Sequence, residues 1–114
     1  MPTTTPEPPY VAVIFTSVRA AQRDDADYSA EAVRMEQMAA TRPGYLGIES
    51  ARGSDGEGIT VSYWKDRSSA AAWKRDADHL GAQRMGRDRW YLDYRVRIAT
   101  VHAFRLGARF RPMK

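Results

Sequence analysis

The chain has 114 residues, of which 43% are hydrophobic, and it carries a formal net charge of +4. This length allows one domain with a two-layer core and excludes a catalytic domain joined to a second module. No apolar run is long enough for a membrane-spanning helix, and the lack of cysteine excludes disulfides, thiolate metal sites and cysteine nucleophiles. These features predict a soluble, cytoplasmic protein.

The excess positive charge is confined to one end of the chain. Four of the eighteen basic residues lie in the last ten positions, so residues 1–104 carry fourteen bases and fourteen acids. We therefore predict a basic tail over 105–114 and no nucleic-acid-binding surface. Residues 1–9 contain four prolines and three threonines, which predicts a disordered leader that is not a signal peptide. The folded domain is expected over 10–104.

The first strand and helix follow the leader. The run from Tyr10 to Val18 has apolar residues at both odd and even positions, which predicts a strand covered on both faces. An acidic cluster then precedes an apolar stripe at helical spacing, which predicts a helix that ends at Arg42-Pro43-Gly44. The stripe consists of Tyr28, Ala32, Met35 and Ala39.

A hairpin, a second helix and a last strand complete the domain. Residues 45–52 and 59–64 are rich in strand formers and flank a glycine-rich turn. Asp66 is expected to cap the second helix, and alternation over 94–104 predicts the last strand. The order βαββαβ is the split βαβ pattern, an α+β fold with an antiparallel sheet. The apolar stripe of the second helix is Ala70, Trp73, Ala77 and Leu80.

Two helices on one face of a four-stranded sheet leave the other face without cover. Because the first strand is apolar on both faces, a second copy of the chain is the simplest partner for that face. We therefore predict an obligate homodimer.

Few motifs with a known chemistry are present. His79 and His102 are far apart in sequence without carboxylates at ligand spacing, so no metal site is predicted, and no Gly-x-Ser-x-Gly motif of a serine hydrolase is found. Ala72, Asp76, His79 and Gln83 share one stripe of the second helix, which lets Asp76 orient His79. His79 is then either a general base for an acidic phenol or part of a solvated polar flank.

Aromatic residues are concentrated in the second half of the chain, where six fall within 32 positions. Such residues either line a cavity for a flat polycyclic ligand or form the core and the dimer contact. They are Tyr63, Trp64, Trp73, Trp90, Tyr91 and Tyr94.

Several stretches together resemble the antibiotic biosynthesis monooxygenase family. They are Ile59-Thr-Val-Ser-Tyr-Trp64, Ala72-Trp73-Lys74, His79-Leu-x-Ala-Gln-Arg84, Gly86-Arg87, Trp90-Tyr91 and the Tyr94-Arg95-Val96 segment. The resemblance covers about residues 10–104. It implies a ferredoxin-like protomer of a dimeric α+β barrel, with a cavity between the sheet and the helices.

The resemblance also implies a reaction. Some members oxidise a polyketide anthrone or quinol with dioxygen and use neither metal nor flavin, because the deprotonated substrate itself transfers an electron to dioxygen. By this likeness Trp73 would form the wall against the substrate's ring, and His79 would be the base. Tyr63 or Arg87 would stabilise the developing phenolate. The substrate-binding residues that the likeness implies are Trp64, Trp90, Tyr91, Tyr94 and Gln83.

Two alternatives stay open. Other members of the family bind and degrade haem, and Trp64 and Trp73 match the two tryptophans of those proteins. Gln83, however, stands where they carry the histidine that binds iron. Haem is therefore the alternative to an enzyme without cofactor. The second alternative is a dimer that binds a small molecule without turnover, which no sequence motif separates from an oxygenase.

Overall fold

The computed structural model describes residues 3–20, 25–86 and 90–107 of the chain. Those ranges contain four strands and two helices, in the predicted order βαββαβ. The elements are β1 (Tyr10–Arg19), α1 (Asp25–Ala40), β2 (Tyr45–Arg52), β3 (Glu57–Trp64), α2 (Arg67–Met85) and β4 (Tyr91–Val101). None of the helices in these ranges is long and apolar enough to span a membrane.

The four strands form one antiparallel sheet in the order β2-β3-β1-β4. The central strand β1 pairs with β3 on one side and with β4 on the other. This arrangement confirms the predicted ferredoxin-like α+β fold. The dimeric assembly of that fold stays a prediction.

The strand β1 has two buried sides, as its apolar sequence predicts. Val11, Val13 and Phe15 belong to the main core, which also contains buried residues of α1 and α2. The alternate residues point to the opposite face of the sheet, which we call the outer face. On that face Tyr10 and Ala12 are buried, at 6% and 4% exposure. Both helices therefore pack on one face, and part of the outer face is covered as well.

Part of that cover comes from the segment before β1. Residues 3–9 have no regular secondary structure, but the backbone N–H of Thr3 donates to Glu49 Oε1 at 3.0 Å. The hydroxyls of Thr5 and Tyr10 are 2.6 Å apart. Gly47 lies so close to Thr3 that a Cβ there would be 3.0 Å from the Thr3 hydroxyl. The described part of the leader thus lies against the outer face, over β2 and β1.

Trp64 is the largest fully buried side chain among the described residues. Its side chain has no exposed surface and stacks on Trp73 of α2, with ring centroids 5.7 Å apart. Its indole N–H donates to Ser62 Oγ at 2.8 Å, and the Ser62 hydroxyl donates in turn to the backbone carbonyl of Val13. The one polar atom of the buried indole is therefore satisfied inside the core.

The helix α2 begins where the sequence predicts. Asp66 is its N-cap and accepts a hydrogen bond from the backbone N–H of Ser69 at 2.8 Å. The same hydrogen bond lowers the pKa of the Asp66 carboxyl. The predicted stripe is buried at Ala70, Trp73 and Ala77.

The last strand is displaced by three residues from its predicted position. It runs from Tyr91 to Val101, whereas the alternation of side chains predicted 94–104. The strand ends at Val101 because its partner β1 begins at Tyr10, which is paired with Val101. At the other end a shift in register between Val18 and Arg19 extends the pairing to Tyr91. His102 and Phe104 consequently lie beyond the strand and are exposed.

We predict that Ser62→Ala lowers the free energy of unfolding by about 1–3 kcal/mol, because the buried indole N–H of Trp64 loses its acceptor. Chemical denaturation monitored by tryptophan fluorescence measures the change. The matched control is Ser54→Ala in the exposed hairpin turn, which should stay within about 0.5 kcal/mol of the original chain. Equal effects of the two substitutions would contradict this account of the core.

Candidate functional site

A cavity of about 400 Å³ lies between α1 and the sheet, at the end of the strands opposite Trp64. We call it the inner cavity. Its apolar wall consists of Phe15, Ala32, Met35 and Tyr91. Its polar side chains are Ser17, Glu31, Ser50, Arg52 and Thr60. A volume in this range is typical of sites for small organic ligands.

The aromatic wall comes from the pairing of β1 with β4. The rings of Phe15 and Tyr91 have centroids 5.8 Å apart and are tilted by 54°, and Tyr94 stacks on Phe15 at the same distance. The Tyr94 hydroxyl donates to Asp78 Oδ1 of α2 at 2.8 Å, and this hydrogen bond raises the pKa of Tyr94. The ring of Tyr94 also fills the space beside Gly81, where a Cβ would lie 2.6 Å from it. The wall is therefore held by the sheet and by α2 together.

Hydroxyl groups line the sheet side of the cavity. Ser50 of β2 and Thr60 of β3 are register partners, and their hydroxyl oxygens are 3.0 Å apart. Ser17 of β1 lies in the same lining. A flat molecule against Phe15 and Tyr91 would thus have hydroxyl groups within the same pocket to contact its oxygens.

A buried ion pair joins the two helices beside the cavity. Glu31 of α1 is only 3% exposed and receives two hydrogen bonds from Arg84 of α2. The distances are 3.1 Å from Arg84 Nε to Oε2 and 2.8 Å from Arg84 Nη2 to Oε1. Arg34, one turn further along α1, also donates to Oε1 at 3.0 Å. The carboxylate is therefore compensated by two guanidinium groups.

The segment after α2 holds Arg84 in place. The guanidinium carbon lies 4.4 Å from the centre of the Trp90 ring, which is the geometry of a cation–π contact. The backbone N–H of Trp90 donates to the carbonyl of Arg84 at 2.6 Å, and the carbonyl of Trp90 accepts from Ala20 at 2.7 Å. These contacts connect both helices and the end of β1 around the Glu31 carboxylate.

The outer face carries a second cavity of about 640 Å³. Arg95 and Arg97 of β4 line it together with Asp93 and Glu57, and Ile59 contributes an apolar surface that is 41% exposed. Charges of both signs therefore surround an apolar patch on this side of the sheet.

Tyr63, predicted as a stabiliser of a phenolate, also lies on the outer face. Its hydroxyl donates to Glu49 Oε2 at 2.5 Å, and its ring packs edge-on against Tyr10. Burial, followed by the hydrogen bond to the carboxylate, raises the pKa of Tyr63. The hydrogen bonds from Tyr63 and from the backbone of Thr3 lower the pKa of Glu49. Tyr63 therefore lies on the outer face near residues 3–9, and it does not line the inner cavity.

The other predicted site residues are divided between the core, the surface and the cavities. Trp64 and Trp73 stack on each other in the core and do not belong to either cavity lining. Tyr91 lines the inner cavity, and Tyr94 supports its aromatic wall by stacking on Phe15. Trp90 contacts Arg84, as described above.

The polar members of the predicted set lie away from the inner cavity. His79 is exposed on α2, and Gln83 is half-buried one turn later on the same helix. Neither contributes to the lining of either cavity. Arg87 lies outside the described residues. The suggested roles of His79, Gln83 and Arg87 stay predictions.

The described residues fit a haem group poorly. Both His79 and His102 are exposed, and the inner cavity has no histidine in its described lining. A haem iron in this cavity would therefore find no imidazole among the residues that the structure describes.

Sequence reasoning missed Glu31 and Arg84. The two residues are 53 positions apart, so no local motif connects them. One signal was present, since Glu31 shares a helical face with Met35 and Ala39, both of which are buried. A carboxylate on the buried side of a helix needs a partner, and an arginine on the facing helix provides it.

A family model described as "Antibiotic biosynthesis monooxygenase" matches residues 9–85. The match covers more than half of the chain, and the chain therefore belongs to the antibiotic biosynthesis monooxygenase family. The membership agrees with the fold described above.

Individual relatives extend over most of the chain. The uncharacterized protein YqjZ of Bacillus subtilis is 48% identical over 102 residues, which cover 90% of this chain and 88% of YqjZ. The jasmonate monooxygenase ABM of Pyricularia oryzae is 25% identical over 88% of this chain, which spans only 41% of the fungal protein. A crystal structure of SnoaB, a cofactor-independent oxygenase from Streptomyces nogalater, matches with a TM-score of 0.59 at 16% identity, over 90% of this chain and 95% of SnoaB. The likeness to SnoaB shows the fold.

We predict that Arg84→Met lowers the free energy of unfolding by about 3 kcal/mol, because it removes two of the three hydrogen bonds to a buried carboxylate. The double variant Glu31→Met with Arg84→Met should recover most of that loss, since neither buried charge remains. Equilibrium denaturation of the single and double variants gives both values.

The matched control is an exposed ion pair of similar length. Arg42 Nε lies 3.0 Å from Asp76 Oδ2, and both side chains are more than a third exposed. Arg42→Met should therefore cost less than about 1 kcal/mol. If Arg84→Met were no more costly than Arg42→Met, the Glu31–Arg84 pair would not have the structural role described here.

Proposed function

We propose that this member of the antibiotic biosynthesis monooxygenase family is a cofactor-independent monooxygenase. The proposed substrate is a small hydroxylated aromatic molecule of the quinol or anthrone type, and the proposed oxidant is dioxygen. The observation that carries the proposal is the inner cavity, which combines an aromatic wall at Phe15 and Tyr91 with hydroxyl groups and a buried carboxylate. Such a lining suits a flat ring system that bears oxygen substituents.

The proposed reaction does not require a redox-active group in the protein. An anthrone loses a proton from its methylene carbon, and the resulting anion transfers an electron to dioxygen. Recombination at that carbon and loss of water give the quinone, so that R₂CH₂ + O₂ becomes R₂C=O + H₂O. One oxygen atom enters the product and the other leaves as water. The protein's part is to bind the substrate, orient it and exclude bulk water.

Two relatives support the choice of reaction class. SnoaB is named as a cofactor-independent oxygenase, and the fungal relative is named as a jasmonate monooxygenase. Their names point to different substrates. The cavity of this chain, with its aromatic and hydroxyl lining, is what favours a hydroxylated aromatic substrate here.

The cavity can be tested by filling it. Ala32 of α1 lines the inner cavity, and we expect Ala32→Phe to lower kcat/KM for the model anthrone dithranol by about tenfold or more, because the larger side chain occupies the substrate's space. Ala30→Phe is the matched control, since Ala30 is exposed on the same helix and should leave the rate unchanged. Dioxygen uptake with an oxygen electrode measures both rates, and isotope-labelled dioxygen should place one labelled atom in the anthraquinone product.

Two outcomes of this experiment would redirect the proposal. A chain that binds dithranol but consumes no dioxygen above the uncatalysed rate would favour the non-catalytic binding protein. His79→Ala in the same assay decides the role predicted for His79 as the base. Loss of uptake would support that role despite the exposed position of the side chain, and an unchanged rate would remove His79 from the mechanism.

We also propose that the active form is a homodimer formed through the outer face. The cavity around the exposed Ile59 is lined by Glu57 of the same strand and by Arg95 and Arg97 of β4. A patch with both signs of charge can pair with itself across a two-fold axis, since each arginine of one copy meets an acid of the other.

We expect light scattering to give twice the chain mass of 12.9 kDa. Ile59→Arg should shift the mass to that of the monomer, because it places a charge in the centre of the apolar patch. Val33→Arg is the matched control, since Val33 is 52% exposed on α1, away from the outer face, and should leave the dimer intact. A monomeric original chain would contradict the proposal.

A further inference from the structure

The carboxylate of Glu31 is buried in the lining of the inner cavity, and its partners do not saturate it. An ionised carboxylate has about four acceptor positions, two on each oxygen. Arg84 and Arg34 occupy both positions on Oε1, and Arg84 Nε occupies one on Oε2. Among the residues that the structure describes, Glu31 has no other hydrogen-bond partner, so one position on Oε2 is left.

Glu31 lies in the lining of a cavity that is otherwise built for an aromatic ring. Glu31 and Tyr91 belong to the same lining, and the Phe15 and Tyr91 rings form its apolar wall. Oε2 accepts one hydrogen bond, from Arg84 Nε, and a ligand that brings a hydroxyl or N–H group adds a second one to this buried, charged oxygen. A ligand that brings a methoxy group at the same place has no hydrogen to donate to this oxygen and adds bulk.

We infer that Glu31 is a substrate-contacting residue that selects hydroxylated aromatic ligands, by accepting a hydrogen bond from the ligand hydroxyl at Oε2. The inference rests on the proposed function for the location of the substrate, but it concerns binding and not turnover. Arg84 is the positioning residue, because it holds both carboxylate oxygens and is itself fixed against the Trp90 ring. A carboxylate held in this way loses little freedom when the ligand binds.

The experiment compares two ligands that differ only at one oxygen, which carries a hydrogen atom in the first and a methyl group in the second. We expect the original chain to bind 2-hydroxyanthraquinone about tenfold more tightly than 2-methoxyanthraquinone, the ratio expected for one hydrogen bond to a charged acceptor. Neither compound is an anthrone, so no oxidation accompanies binding. Isothermal titration calorimetry gives both dissociation constants.

The double variant Glu31→Met with Arg84→Met removes the acceptor without leaving a buried charge unpaired. It should bind the two ligands with equal affinity. Glu36→Gln is the matched control, because Glu36 is exposed on the same helix, and it should keep the tenfold ratio. A role of Glu31 in stability alone would lower both affinities together and would leave the ratio unchanged.

Equal affinities in the original chain, or a ratio that persists in the double variant, would overturn the inference. The ratio in the original chain is informative even if the double variant fails to fold. Dioxygen uptake with dithranol is measured separately on the same preparation. Uptake without any preference for the hydroxyl ligand overturns the role of Glu31 and leaves the proposed function standing, whereas a tenfold ratio without uptake supports Glu31 and overturns the proposed reaction.

Discussion

The position of every other element depends on the burial of one indole ring. Trp64 ends β3 and stacks on Trp73 of α2, while Tyr45 of β2 meets its edge at 5.7 Å. Its N–H bond to Ser62 leaves the ring no polar atom unsatisfied, so it can be fully enclosed. These contacts fix α2 over one end of the sheet. The space at the opposite end, between α1 and the strands, is not filled by a comparable ring and becomes the inner cavity.

The two ends of the sheet therefore use different interactions to hold the helices. At the Trp64 end the contacts are apolar and close-packed, and their strength scales with the area removed from water. At the cavity end the helices are joined by Glu31 and Arg84, an ion pair that contributes little net stability but makes the loss of either partner costly. Such a pair fixes the relative position of α1 and α2 without filling the space between them. The cavity can thus stay open to a ligand while its walls remain in place.

The sequence was enough to predict the elements, whereas the surroundings of the candidate site residues became visible only in the fold. Hydrophobic periodicity and capping residues are local signals, and they located β2, the N-cap at Asp66 and the buried stripe of α2. The limits of β4 depend on the length of its partner strand, which the alternation of side chains does not contain. The surroundings of the predicted site residues depend in the same way on contacts between distant parts of the chain. Trp73 was predicted to lie against the substrate ring, and in the structure it packs against Trp64. Glu31 is of a residue type usually found at the surface, but it is paired with Arg84 across the fold.

The order of strands in the sheet also has a consequence for how the protein is made. Because β1 lies between β3 and β4, the first strand to be synthesised obtains its second hydrogen-bonded neighbour only when the last strand has been made. Until Tyr91 to Val101 have been synthesised, one edge of the most apolar strand has no hydrogen-bond partner and can pair with other chains. The inner cavity has the same dependence, since Phe15 comes from the first strand and Tyr91 from the last. A chain truncated before β4 would retain both helices and the hairpin, yet it would have an aggregation-prone edge and no aromatic pocket.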